Sequence, residues 1–155
     1  MSITSKERPA LPSVPAVGRS AAWGTAWGAV WEWLARPMHY RRVGELGRAA
    51  EAGDIERLVP LLDAEAAVVV DSGDVEHPMI RVINGAREAA WFLAYGMAHK
   101  RDLTVSLRSV NNQAGLLLTR GAEAVAAVTV DFTGPRISAV WIRLNPELQR
   151  HWNQV

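Results

Sequence analysis

Residues 110–152 read VNNQAGLLLTRGAEAVAAVTVDFTGPRISAVWIRLNPELQRHW, and this stretch decides the fold class. It holds three apolar runs of strand length, 114–119, 124–132 and 136–144, divided by Arg120-Gly121 and by Thr133-Gly134-Pro135. Short runs rich in Val, Ile and Thr and bounded by Gly or Pro mark strands joined in hairpins. An antiparallel meander is therefore expected to close the chain. Just upstream, Leu103, Val105 and Leu107 alternate with Thr104, Ser106 and Arg108, the period of a half-exposed strand. Residues 66–71 and 79–83 read as two more strands, on either side of the turn chemistry at Ser72-Gly73-Asp74.

Helical spacing dominates the first half. Trp23, Trp27 and Trp31 recur at i, i+4, i+8 with Val30 and Leu34 beside them, and Pro37 is expected to stop that helix. Gly24 and Gly28 each weaken it by about 1 kcal/mol relative to Ala, and their spacing suggests close packing against that side. A second helix is expected over 38–52, with Val43, Leu46 and Ala50 on one face. Gly53 suits its C-terminal cap, Asp54 caps a short helix through Leu58, and Pro60 kinks or ends that one. Asn84 is expected to cap a helix from 85 to about 99, whose Ala86, Ala90, Leu93 and Met97 share a buried face. Helices first and sheet second argue for an α+β fold with about six strands in a mainly antiparallel sheet. Residues 1–20, with Pro9, Pro12 and Pro15, read as a flexible arm, 21–37 as a Trp-rich helical extension, and 38–152 as one domain.

Composition narrows the function classes. The chain has 155 residues, enough for one domain with a substantial core. Its 17 basic and 16 acidic residues, net +1, form no basic tract, which argues against nucleic-acid binding. Cysteine is absent, so disulfides, thiolate metal sites and Cys nucleophiles are excluded, and a reducing cytoplasm fits. His39, His77, His99 and His151 stand alone, without ligand spacing, so no metal is expected, and no cofactor. The tryptophans at 23, 27, 31 and 33 can each bury roughly 150–250 Å², so their helix is expected to dock on its own domain or on a partner subunit. A membrane-surface helix would need rows of Lys and Arg that it lacks, and the uncharged run ends at Glu32, too early for a span.

Several short motifs follow one another along the chain: Ala52-Gly53-Asp54 with Leu58 and Leu61-Leu62, then Val68-Val69-Val70-Asp71 before a Gly-containing turn. Asn84-Gly85-Ala86, Val110-Asn111-Asn112-Gln113-Ala114-Gly115-Leu116, Arg136-Ile137 and Asn145-Pro146-Glu147-Leu148 follow. Through them, residues 40–152 resemble a SnoaL-like domain of the nuclear transport factor 2-like superfamily. More narrowly, they resemble the C-terminal SnoaL-like domain fused to one group of bacterial extracytoplasmic-function sigma factors. The glycine-rich turn of that group is only half matched at Asp71-Ser72-Gly73-Asp74, and its closing Lys is Gln149 here. The 37 residues ahead of the domain are too few for two helical sigma domains, so no sigma activity of its own is expected. The resemblance implies a curved antiparallel sheet wrapped around helices into a cone, often dimerising through the sheet's outer face.

It also implies where chemistry would sit. In such cones the ligand lies between the helices and the concave sheet face, and the superfamily's enzymes place one or two buried carboxylates there. A carboxylate in an apolar pocket has a raised pKa and can move protons near neutrality. Asp71 and Asp131, ending VVVD and VTVD, are the candidate catalytic acids, although each also stands where an Asp bonds turn backbone. Candidate pocket residues are Trp91 and Tyr95, which share a helix side with His99, then Asn111, Trp141 and Arg143. The competing readings are packing for the aromatics and a hairpin turn for Asn111 with Asn112. Trp141 and Arg143 face the same way on the last strand, where a buried Arg would need an acid or anion. Trp23, Trp27 and Trp31 are the candidate interface or lid. The expected function is a small-molecule-binding or regulatory module, homodimeric, with an apolar ligand. The alternative is a cofactor-independent cyclase, isomerase, dehydratase or hydrolase acting on an apolar cyclic or polyketide-like substrate through a pocket carboxylate. A purely structural interaction partner comes third.

Overall fold

The computed structural model describes residues 25–98 and 100–145. Contacts divide the chain into two compact units, meeting in sequence between Leu34 and Ala35. In chain order the elements are α1 (Thr25–Ala52), α2 (Ile55–Leu58) with a following 3-10 turn (Val59–Leu61), β1 (Leu62–Asp71), β2 (Ile80–Asn84) and α3 (Ala86–Met97). Four strands follow without a break: β3 (Leu103–Val110), β4 (Gln113–Arg120), β5 (Glu123–Thr133) and β6 (Arg136–Leu144). They form one curved, open sheet in the order β2-β1-β6-β5-β4-β3.

Every neighbouring pair is antiparallel except β1 with β6, which run parallel. The meander expected from residues 110–152 is β4 to β6, the strand expected from the alternation at 103–108 is β3, and the turns between them explain themselves. Asn111 and Asn112 both take positive φ, 49° and 63°, the backbone that a two-residue hairpin of matching twist demands. Register shifts fall between Leu118 and Thr119 and between Asp131 and Phe132, and such bulges bend a sheet.

One residue row crosses all six strands on the helix-facing side: Arg81, Val70, Ile142, Val128, Leu116 and Leu107. The next row, displaced by one residue, points to the other side: Val82, Val69, Trp141, Thr129, Gly115 and Arg108. The core forms on the first side, where Val68, Leu116, Val128, Ile137 and Val140 are buried with Val43, Leu46 and Ala50 of α1 and Ala90 and Leu93 of α3. Gly47 lets α1 lie close on β4, since a Cβ there would stand 2.9 Å from Leu116 Cδ2. The His39 ring stacks on Phe132, centroids 4.1 Å apart.

Helix ends follow their capping chemistry with two corrections. Gly53, at φ 68°, ends α1. Its N–H donates to Ala50 O and that of Asp54 to Ala49 O, a Schellman closure. Asp54 Oδ1 then accepts the Arg57 N–H at 3.1 Å and caps α2. Pro37, however, does not stop a helix: α1 continues through it. A proline removes one backbone bond and favours a bend, a cost that burial of the Val43, Leu46 and Ala50 face offsets. Nor does Asn84 cap α3. It is the last residue of β2, and Gly85 holds the cap position, its N–H tied to Ala66 O at 2.8 Å. No helix among the described residues is long and apolar enough to cross a membrane.

Candidate ligand cavity

The Leu93 and Met97 side of α3 is buried, but the helix does not fill the space over the far end of the sheet. A cavity of about 270 Å³ remains there. Phe92, Leu93, Tyr95, Gly96 and Met97 line it from the helix. Val70, Leu118, Ala126, Ile142 and Leu144 line it from β1, β4, β5 and β6. Small residues make the room: beyond Gly96's own neighbours and helix backbone, no atom of the described residues stands within 4 Å of where a Gly96 Cβ would be.

Among the lining residues one is charged, Lys100, in the connection from α3 to β3. Burial, and secondarily the Arg120 charge, hold its ammonium below the usual lysine value. Arg81 extends over the Phe92 ring, 5.7 Å from its centroid. The cavity thus has an apolar body with one lysine in its lining.

Both candidate acids lie on the opposite side of the sheet. Asp71 takes the parity of Val69 and Asp131 that of Thr129, so neither is among the residues lining the cavity. Asp71 accepts the Gly73 N–H at 2.8 Å, a turn role, and stands 3.7 Å from Arg143 Nε on the neighbouring strand. Asp131 accepts the Trp141 indole N–H at 2.8 Å. The four residues therefore form two neighbouring outer-face pairs. Arg143 is exposed, with an acid beside it.

Of the candidate pocket residues, Tyr95 lines the cavity, at its rim, for its side is 84% exposed. Trp91 is on the exposed side of α3, Asn111 in the β3–β4 turn, and Trp141 and Arg143 on the outer face. His99 and Trp23 are outside the described residues, as are the side chains of Trp27 and Trp31. Sequence reasoning missed Lys100, hidden in the charged run Lys100-Arg101-Asp102, and Gly96, which carries no signal of its own. Among the described residues no group of three or more His, Asp or Glu is placed to hold a metal ion.

No protein-family model matches the chain, and no curated protein does. Solved structures do share its architecture. The extracytoplasmic function sigma factor SigJ of Mycobacterium tuberculosis, 20% identical, aligns with a TM-score of 0.53 over 77% of this chain and 46% of the sigma factor. The chain thus spans about half the length of that protein. An NTF2-like protein of unknown function from Mesorhizobium loti, 8% identical, gives 0.53 over 72% of this chain and 93% of its own. A de novo designed protein with a curved β-sheet, 17% identical, gives 0.55 over 77% and 98%. The fold is the nuclear transport factor 2-like α+β fold. At these identities the likeness is one of fold, and a fold of this kind does not carry a function with it.

Proposed function

We propose that this chain is a small-molecule-binding module of the SnoaL-like kind, with a regulatory rather than a catalytic role and no sigma activity of its own. The observation that carries the reading is the cavity between α3 and the sheet, whose lining is apolar apart from Lys100 and the Tyr95 phenol at its rim. A concave apolar pocket with few polar groups is the usual form of a small-molecule site. The enzyme alternative needs a carboxylate in that pocket, and Asp71 and Asp131 lie on the other face, bonded to turn backbone and to an indole. The likeness to SigJ spans 46% of that protein, so it gives no ground for a sigma activity here.

Calorimetric titration with an uncharged probe, 1-octanol, tests this. Wild type is expected to bind it saturably, one molecule per chain. Gly96→Leu, which puts a side chain into the open space at the wall, is expected to weaken binding by about tenfold or more while staying folded. Absence of saturable binding to wild type would overturn the reading.

The same reading includes a homodimer formed through the outer sheet face. Val82 and Trp141 stand in one row there, 52% and 46% exposed, with Ile80 in the next row at 68%. A stable interface needs about 800 Å² from each partner, within the reach of such a sheet face. Sedimentation should give twice the chain mass for wild type and the single mass for Trp141→Glu; a monomeric wild type would contradict it. Trp23, Trp27 and Trp31 remain a proposed interface or lid. Removing residues 1–36 should then change oligomeric state or 1-octanol affinity, and an unchanged result in both would refute it.

A further inference from the structure

The two edges of the open sheet are not alike. β3 stands at one end of the strand order and β2 at the other. On its outer side β3 carries Thr104, Ser106 and Arg108, the polar and charged cover that keeps a strand edge from meeting another. β2 carries exposed Ile80 and Val82 on that side, with exposed Met79 next to them. Its ladder with β1 runs without a register shift, so no bulge twists the edge away.

The backbone of β2 shows which groups face outward. The Ser72 N–H donates to Met79 O at 2.9 Å, and the Gly85 N–H donates to Ala66 O at 2.8 Å. Bonded and non-bonded pairs alternate along an antiparallel ladder. In the register between those two bonds, Arg81 and Ile83 therefore turn their backbone groups to β1. Ile80, Val82 and Asn84 turn theirs away, and among the described residues no strand lies beyond β2. The outward row ends at Gly85, whose φ of 98° leaves the extended backbone.

We propose that this edge pairs with a second copy of the chain, the two β2 strands running antiparallel with Val82 opposite the partner's Val82. In that register Ile80 meets the partner's Asn84, and every outward N–H and C=O of the three residues gains a partner. Arg81 stands opposite the partner's Ile83, so no like charges, which would destabilise the pair, face each other directly. The contact is isologous, one patch meeting itself about a twofold axis. Five residues a side make a contact well short of the about 800 Å² per partner of a standard interface. The pairing is therefore concentration-dependent, and it is separate from both the cavity and the outer-face dimer.

Residue-resolved hydrogen–deuterium exchange on the full chain, in dilute and in concentrated solution, tests this. The Ile80, Val82 and Asn84 amides are expected to exchange about tenfold or more slowly in the concentrated sample. Rates that do not change with concentration, fast or slow, overturn the proposal. Val82→Pro removes an outward N–H and leaves the β1 ladder intact, so Ile80 and Asn84 should lose their concentration dependence. If that variant loses the wild-type circular dichroism spectrum, Val82→Lys takes its place, setting two like charges directly opposite each other. Persistence of the slowing in the folded variant overturns the proposed register. Trp141→Glu, aimed at the outer-face dimer, leaves the β2 edge in place and should keep the slowing. Its loss there would mean that face packing, not edge pairing, protects these amides, and would also overturn the proposal.

Discussion

The two faces of the sheet are built from the same strands, one residue apart, and they differ in nearly everything else. The helix-facing side is packed with Val, Leu and Ile and opens at one end into an apolar cavity with a lysine at its wall. The outer side carries the carboxylates, each occupied: Asp71 with Gly73 and Arg143, Asp131 with Trp141. Acid chemistry and ligand space are thus separated by the thickness of one sheet. A carboxylate at the end of an apolar strand is a poor guide to a pocket until its parity is known. The inner face holds each chain's own fold together, and substitutions on the outer face should cost the single chain less, an asymmetry that can be measured.

The largest effect is expected from Leu116→Ala on the inner face. Leu116 is 1% exposed, and truncating such a leucine costs about 2–5 kcal/mol through lost burial and the cavity left behind. Urea unfolding should register that loss. Trp141→Ala, two strands away on the outer face, removes a half-exposed side chain and its hydrogen bond to Asp131. It should cost about 1 kcal/mol in the same assay. Equal costs for the two substitutions would erase the contrast.

Gly96→Ala sharpens the comparison from the other direction. The residue lies within α3 beside open space, so a methyl group meets no obstacle and the helix gains about 1 kcal/mol. A loss of stability in urea unfolding would mean the space over the sheet is already filled. Arg143→Gln, breaking the ion pair with Asp71 across exposed side chains, should change stability by about 1 kcal/mol at most.

The smallest effect is a pH dependence from His39. Burial pushes its imidazole below the ordinary value of 6.5, so the folded chain favours the neutral ring. On acidification the unfolded chain takes up a proton that the folded chain refuses. This contribution is therefore complete above pH 6.5 and is lost as the pH falls from there through the lowered folded-state value. Thermal unfolding followed across that window should slope less for His39→Phe than for wild type; an identical slope removes the effect.

How much of this was legible depended on whether the sequence broke the symmetry between the two faces. In β5 it did: Thr129 shares parity with Asp131, while Val128 and Val130 are buried, so the outward direction of Asp131 could be read from that threonine. In β1 it did not. Val68, Val69 and Val70 are apolar on both parities, and only packing against the helices reveals that Val68 is fully buried and Asp71 turns out. The hairpin turns were legible because positive φ needs Asn or Gly, and Asn111, Asn112, Gly121 and Gly134 supply it. The end of the first helix was misread at Pro37, because a proline's local penalty says nothing of the burial gained further along α1. The cavity was beyond local reasoning altogether. It is a space left by Gly96 and Ala126 between elements distant in sequence, and its lysine sits in an unpatterned loop.

The most direct test of the two-faced account is methyl-resolved NMR with 1-octanol added to the full chain. The account predicts saturable shifts at the methyl groups of Leu118, Ile142, Leu144 and Met97, which line the cavity, and none at Val69 and Val82 on the outer face. Shifts centred on Val69 and Val82, with the cavity methyls unmoved, would contradict it.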